Sequence, residues 1–268
     1  MNFHEWTHGF RLGGRQLWRD LRAGELRLLM LSVALAVAAL TAVGFLADRM
    51  QAGLWRDARQ MLGGDAVVVS DRPTPELLMQ EAVRRGLVTN TNMSFPTMAR
   101  VPVAGGASRL VALKAVAPGY PLRGMLLVRR ATEAAQDSIP PVGQVWVDEA
   151  LLDALGLQVG QTLALGEREL RVSGVIEREP DRGAGFMNFA PRVMMNAADL
   201  VSTALVQPAS RVTWRMAVAG PEAVSQRYAV WAREQAEGAH LRGVQVESLE
   251  SGRPEMRQTL DRASQFLN

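Results

Sequence analysis

LLMLSVALAVAALTAVGFLA, residues 28–47, is a run of twenty residues without a charge. At about 1.5 Å of rise per residue, a helix of that length covers roughly 30 Å, the thickness of a bilayer's hydrocarbon core. Ten of the twenty are Leu, Val or Phe. Each contributes about −0.3 to −0.6 kcal/mol to insertion, a sum on the order of −3 to −6 kcal/mol in favour of the membrane. The core helix of a soluble protein normally keeps a polar stripe, and this stretch has none. A cleaved signal would have a shorter apolar run followed by small residues at the cut. Here a cut after Ala47 would leave Phe45 at the −3 position. The stretch reads as an uncleaved transmembrane helix.

Arginine orients it. Five (Arg11, Arg15, Arg19, Arg22, Arg27) precede the helix, against three (Arg49, Arg56, Arg59) in the equivalent length after it. The positive-inside bias places the N-terminus in the cytoplasm and the large remainder outside. Residues 1–27 carry Phe3, Trp6, Phe10, Leu17, Trp18 and Leu21 among the arginines. That mixture suits an amphipathic segment on the inner leaflet, in contact with membrane lipid.

The sequence pI of about 10.1 does not signal a nucleic-acid partner. With residues 1–27 set aside, the chain holds 25 basic and 24 acidic residues (30 less five, 27 less three). Interspersed charges that nearly cancel make no footprint for a polyanion. The absence of cysteine excludes disulfides, thiol catalysis and thiolate metal sites. A single lysine, Lys114, beside 29 arginines reads as a matter of genome composition.

Beyond the span, Met50, Leu54, Met61 and Leu62 recur at helical spacing up to Gly63-Gly64, so the helix is expected to continue as a stalk over 48–62. Strands are expected at 66–69, 95–103, 109–116 and 124–129, with a helix opened by Pro75 and ended by Gly86. From Gln144 the pattern becomes short strands and tight turns: 145–147, a helix over 149–155, and a hairpin of 161–165 with 169–177 around Gly166. Strands at 192–196, 211–219 and 244–247 follow, with a helix opened by Pro221 between the last two. Strand–helix alternation outside and β structure in the middle predict an α+β domain with a β-rich insertion. Residues 254–268 place Met256, Leu260, Ala263, Phe266 and Leu267 on one helical face, which predicts a second stalk helix leading into a further span.

Candidate chemistry is sparse. His4-Glu5-Trp6-Thr7-His8 matches the H-E-x-x-H pattern of zinc proteases. The only other histidine is His240, expected on the far side of the membrane, so no metal site is expected. No phosphate-cradling G-x-x-x-x-G-K-[ST] loop and no Ser/His/Asp arrangement is present; neither catalytic nor cofactor-binding residues are expected. Glu179 and Asp181 flank Pro180, and at such a loop tip they read as solvated charges. In the next loop Phe186, Met187 and Phe189 stand among glycines. They are candidates for contact with a partner or a lipid-like substrate, or else plugs of the insertion's own core.

Several phrases, taken in order, carry a family resemblance. They are Leu62-Gly63-Gly64-Asp65, Gly119-Tyr120-Pro121-Leu122-Arg123-Gly124 and Val145-Trp146-Val147-Asp148. After them come Glu179-Pro180-Asp181-Arg182-Gly183, Ala190-Pro191-Arg192-Val193-Met194-Met195, Leu205-Val206-Gln207-Pro208, and Asp261-Arg262-Ala263. With the layout of span, stalk and large exported domain, the chain resembles the permeases of the FtsX/MacB-like class of ABC transporters, the YbbP-type permeases most of all. The resemblance implies a non-catalytic permease subunit of the bacterial inner membrane, served by a separate ABC ATPase subunit. It implies a periplasmic core with a porter-like α+β part, 63–121 and 180–252, interrupted by a β-rich part, 122–179. It also implies mechanical stalks at 48–62 and 253–268 (Leu54 and Met61, Met256 and Leu260), hydrophobic or lipid-linked substrates, and a periplasmic hydrolase of lipid-like esters as a further partner. The rival reading is a membrane receptor whose exported domain senses a ligand.

Overall fold

The structure, a computed structural model, describes residues 25–130, 138–182, 189–207, 210–238 and 241–248. The N-terminal segment through residue 24, Phe186, Met187, His240 and the whole of 253–268 with Met256 and Leu260 lie outside them. The chain divides into two compact units, Met1–Trp55 and Arg56–Asn268.

A single helix, α1 (Glu25–Leu62), runs for 38 residues without a break. Its stretch Arg27–Met50 is long and apolar enough to cross a membrane, and none of that stretch is buried inside the protein. Leu28, Leu35 and Leu40 are all at least 70% exposed, as side chains that face lipid must be. Gly63, with φ 73, ends the helix in the left-handed conformation that glycine adopts without strain.

The second unit holds β1 (Ala66–Ser70), α2 (Glu76–Arg84), β2 (Val88–Arg100), β3 (Ser108–Val116), β4 (Leu127–Arg130) and β5 (Gln144–Val147). The order continues with α3 (Glu149–Leu155), β6 (Thr162–Leu165), β7 (Arg168–Arg178), β8 (Arg192–Asn196), β9 (Thr213–Ala219), α4 (Glu222–Glu237) and β10 (Val244–Ser248). Two cores form. In the first, β10-β1-β9-β2 lie side by side, all pairs antiparallel. Leu78 and Ala82 of α2 and Tyr228, Ala229 and Ala232 of α4 pack against Ala66, Val68, Met216 and Val218. Taken with the helices, this is the split βαβ order of a ferredoxin-like fold. Its two middle strands are separated in sequence by everything from β3 to β8.

That intervening chain makes the second core. β3, β8, β5 and β7 continue the sheet from β2, and β6 pairs with both β7 and the far end of β2. The result is a closed ring of six strands. Phe95, Leu113, Val147, Leu163, Leu170 and Val193 fill it, one from each strand, with Leu151 and Leu155 of α3 packed among them. The strand β2 belongs to both cores: it pairs with β9 up to Ser94 and with β6 from Ala99. Pro96, which has no donor to offer, falls in the interval between those partners.

One expectation needs correction. The strand expected at 95–103 starts seven residues earlier, at Val88. The polar letters of 88–94 (VTNTNMS) hide it, because Asn90 and Asn92 are buried. The ring takes β5, β6 and β7 from within 122–179 and β2, β3 and β8 from outside it. Closure depends on pairing between residues far apart in sequence, which no local pattern carries.

Candidate functional site

The site is built where α1 ends. Alternation along β3 turns Leu113 and Ala115 into the ring and sends Lys114 to the opposite face, where solvent would be expected. Lys114 is instead 2% exposed. Two loops cover it: residues 117–124 after β3 and residues 179–182 after β7. Its ammonium donates to Asp181 Oδ1 at 2.7 Å, Glu179 Oε1 at 2.9 Å and the Tyr120 hydroxyl at 2.9 Å. The Tyr120 hydroxyl in turn donates to Asp181. From β8, Arg192 Nε donates to the other oxygen of Glu179 at 2.8 Å. Two cations and two carboxylates balance, and each carboxylate is met by donors.

These observations overturn two expectations. Glu179 and Asp181 are not solvated loop-tip charges; they are 8% and 7% exposed. Nor is Lys114 a by-product of composition. Burial pushes the Glu179 carboxyl up, and the Lys114 and Arg192 charges beside it outweigh that and hold it below the ordinary range. Burial acts the same way on Asp181, and Lys114 with the Tyr120 hydroxyl reverses it. Tyr120 is pushed well above the ordinary tyrosine value by burial and by the two carboxylates.

The same two loops grip the end of α1. Asp181 lies so close that a Cβ on Gly63 would come within 3.0 Å of its own Cβ. The Arg123 N–H donates to the Gly63 carbonyl at 3.2 Å. The Arg123 guanidinium forms a two-pronged pair with Asp65 at 2.9 and 3.0 Å, and the Gly220 N–H donates to Asp65 at 2.9 Å. Burial raises the Asp65 carboxyl, but the Arg123 and Gly220 hydrogen bonds leave it net lowered. Gly124 has φ 87, and a Cβ there would lie 2.7 Å from that of Pro180 and 3.1 Å from the Gln60 carbonyl. Only glycine lets this loop close on the helix. Arg59 of the last turn pairs with Glu222 at the start of α4. Nearby, Arg182 pairs with Asp148 at 2.6 Å, which also accepts from the Arg192 N–H.

Five of the phrases on which the family resemblance rests thus meet at one place, through Asp65, Tyr120, Arg123, Asp148, Glu179, Asp181 and Arg192. Chemically the arrangement is closed. Its lysine, tyrosine and carboxylates bond one another in a buried cluster that holds chain segments together. No group of three or more His, Cys, Asp or Glu among the described residues could hold a metal ion. Of the residues expected to meet a partner or substrate, Phe189 is 86% exposed. On the stalk, Met61 is 72% exposed and Leu54 lies within α1.

Comparison with known proteins places the architecture. The family model of the MacB-like periplasmic core domain matches residues 28–237, and the chain belongs to that family. In sequence it is 34% identical over 253 residues to the uncharacterized ABC transporter permease YbbP of Escherichia coli (strain K12). That match takes in 94% of this chain but 30% of the relative, so the chain spans under a third of that protein's length. Among solved structures it is similar to the periplasmic region of MacB from Actinobacillus actinomycetemcomitans, at 11% identity and a TM-score of 0.46 over 76% of this chain and 95% of that one. It is also similar to the extracellular domain of the noncanonic ABC-type transporter YknZ from Gram-positive bacteria, at 11% identity and a TM-score of 0.43 over 68% and 100% of the two chains.

Proposed function

We propose that the chain is the N-terminal part of an inner-membrane ABC permease subunit. ATP hydrolysis by a separate subunit is coupled through it to movement of a periplasmic domain that handles or extrudes hydrophobic or lipid-linked substrates. The family and the permease relative support the class. The observation that carries the coupling is a register: β10 pairs antiparallel with β1 so that Ser248 lies opposite Ala66. The chain leaves the sheet at the end where it arrives from α1. A second stalk over 253–268, proposed from the sequence alone, follows in the chain from that end of the sheet. Two stalks, with Leu54 and Met61 on one and Met256 and Leu260 on the other, then work as a pair. The exposed Phe189, with Phe186 and Met187, is the substrate or partner contact, and a lipid-ester hydrolase is the partner it serves. The porter-like part over 63–121 and 180–252 moves with the β-rich part over 122–179.

Reporter fusions test the orientation on which this rests. A reporter active only in the periplasm is expected to be active when fused after Gly220 and silent when fused after Arg15. The reverse pattern overturns the reading.

A further inference from the structure

Burial of a full ionic cluster is an expensive way to hold two loops, since apolar residues of similar volume often serve as well or better. What the cluster adds is direction: its bonds from Lys114 and Arg192 tie the loops that touch α1 to strands of the ring, and the Tyr120–Asp181 bond ties the two loops together. Asp181 lies against Gly63 and is bonded to Lys114. Arg123 bonds Gly63 and Asp65, and Tyr120, three residues before it, is bonded to Lys114 as well. Through Glu179 the cluster reaches Arg192 on β8, the strand beside β3. A lysine suits the hub because its compact ammonium offers three rotatable donors to three separate acceptors. A planar guanidinium is built for one two-pronged partner, and the chain uses arginine at its other 29 basic positions.

We infer that Lys114 and Asp181 form a rigid joint that locks the two loops onto the end of α1, so that displacement of the helix is passed to the six-stranded ring instead of being absorbed in the loops. This rests on the permease reading for its source of motion, but the stiffness of the joint is a property of the chain alone.

The test uses the full-length protein with spin labels. The chain contains no cysteine, so cysteines at Met61 and Val201, the latter 90% exposed, label it selectively once any in the remaining protein are replaced. The parent is expected to give one narrow distance. The charge-balanced variant Lys114→Met/Asp181→Asn, which keeps the Glu179–Arg192 pair, is expected to unfold thermally near the parent while its distance distribution broadens. An unchanged narrow distance in the folded variant overturns the joint. Should that variant fail to fold, Tyr120→Phe removes bonds and no charge; broadening there supports the joint and its absence overturns it. A second pair, at Leu28 and Val201, is measured with the ATPase subunit and ATP. The parent distance is expected to respond to ATP. The double variant is expected to hydrolyse ATP at the parent's rate without that response, and an equal response overturns the joint. A parent that does not respond overturns the permease reading instead, while the first pair still decides the stiffness.

Discussion

Lys114 shows how far one residue's environment departs from what its neighbours in sequence suggest. In Leu113-Lys114-Ala115 the alternation is legible, and it points the lysine away from the ring. One covering loop follows β3 directly, but the one that brings the carboxylates lies 65 and 67 residues further along, at Glu179 and Asp181, and that burial is written nowhere in the local pattern. The available cue was rarity, a solitary lysine inside an apolar strand. Removing it alone leaves two buried carboxylates short of a cation. Lys114→Met is expected to cost about 3–5 kcal/mol in denaturant unfolding. Adding Asp181→Asn is expected to recover most of that loss, and a double variant no more stable than the single would show that the cluster is not balanced as described. The carboxyls of Asp65, Glu179 and Asp181 all lie below their ordinary values in the folded chain. A lowered folded value means that the unfolded chain takes up protons first. Their stabilisation is therefore complete above about pH 5 and lost as pH falls through the folded values. Thermal unfolding across pH 6 to about 2 is expected to show a steep fall below about pH 4, which shrinks in the Lys114→Met/Asp181→Asn variant.

Among the elements, the helices and most strands could be read directly, because apolar periodicity and the flanking Gly and Pro punctuate them. Pro75 and Pro221 stand at the starts of α2 and α4, and Gly156 caps α3 with φ 63. The first half of β2 could not be read, since its buried positions are Asn90 and Asn92. Turn glycines separate into two kinds. Gly86 has φ 74 with nothing within 4 Å of an added Cβ, whereas Gly124 combines φ 87 with contacts to Pro180 and the Gln60 carbonyl. Gly86→Ala is expected to cost about 1 kcal/mol, from backbone strain alone. Gly124→Ala is expected to cost clearly more, because a backbone oxygen of α1 has to give way; equal melting temperatures for the two would refute a tight loop–helix contact. In α1 itself, Leu54→Pro removes a backbone bond and introduces a clash worth about 3 kcal/mol or more. It is expected to leave expression and binding of the ATPase subunit largely intact while abolishing transport-dependent function. Full function in that variant would reduce the stalk to a passive tether.

For the whole molecule, the sequence conveyed the long apolar helix and the α+β class, since each has a local signature, and it raised the expectation of a β-rich insertion. It did not convey that the insertion closes into a ring. Closure turns on two residue pairs, Ala99 with Leu165 and Arg100 with Ala164, that join segments 65 positions apart. Nor did it show that the scattered phrases of the resemblance meet at the end of α1, which only the folded chain brings about. The account stands on that junction being driven from the cytoplasmic side. Affinity purification of the full-length protein in mild detergent, with ATP hydrolysis measured on the eluate, tests this most directly. A separate ATPase subunit is predicted to co-purify and to supply all of the hydrolysis, and inactivating that subunit's phosphate-binding lysine should abolish it. A full-length protein that purifies without any ATPase subunit, or that carries a signalling module in its place, would contradict the account.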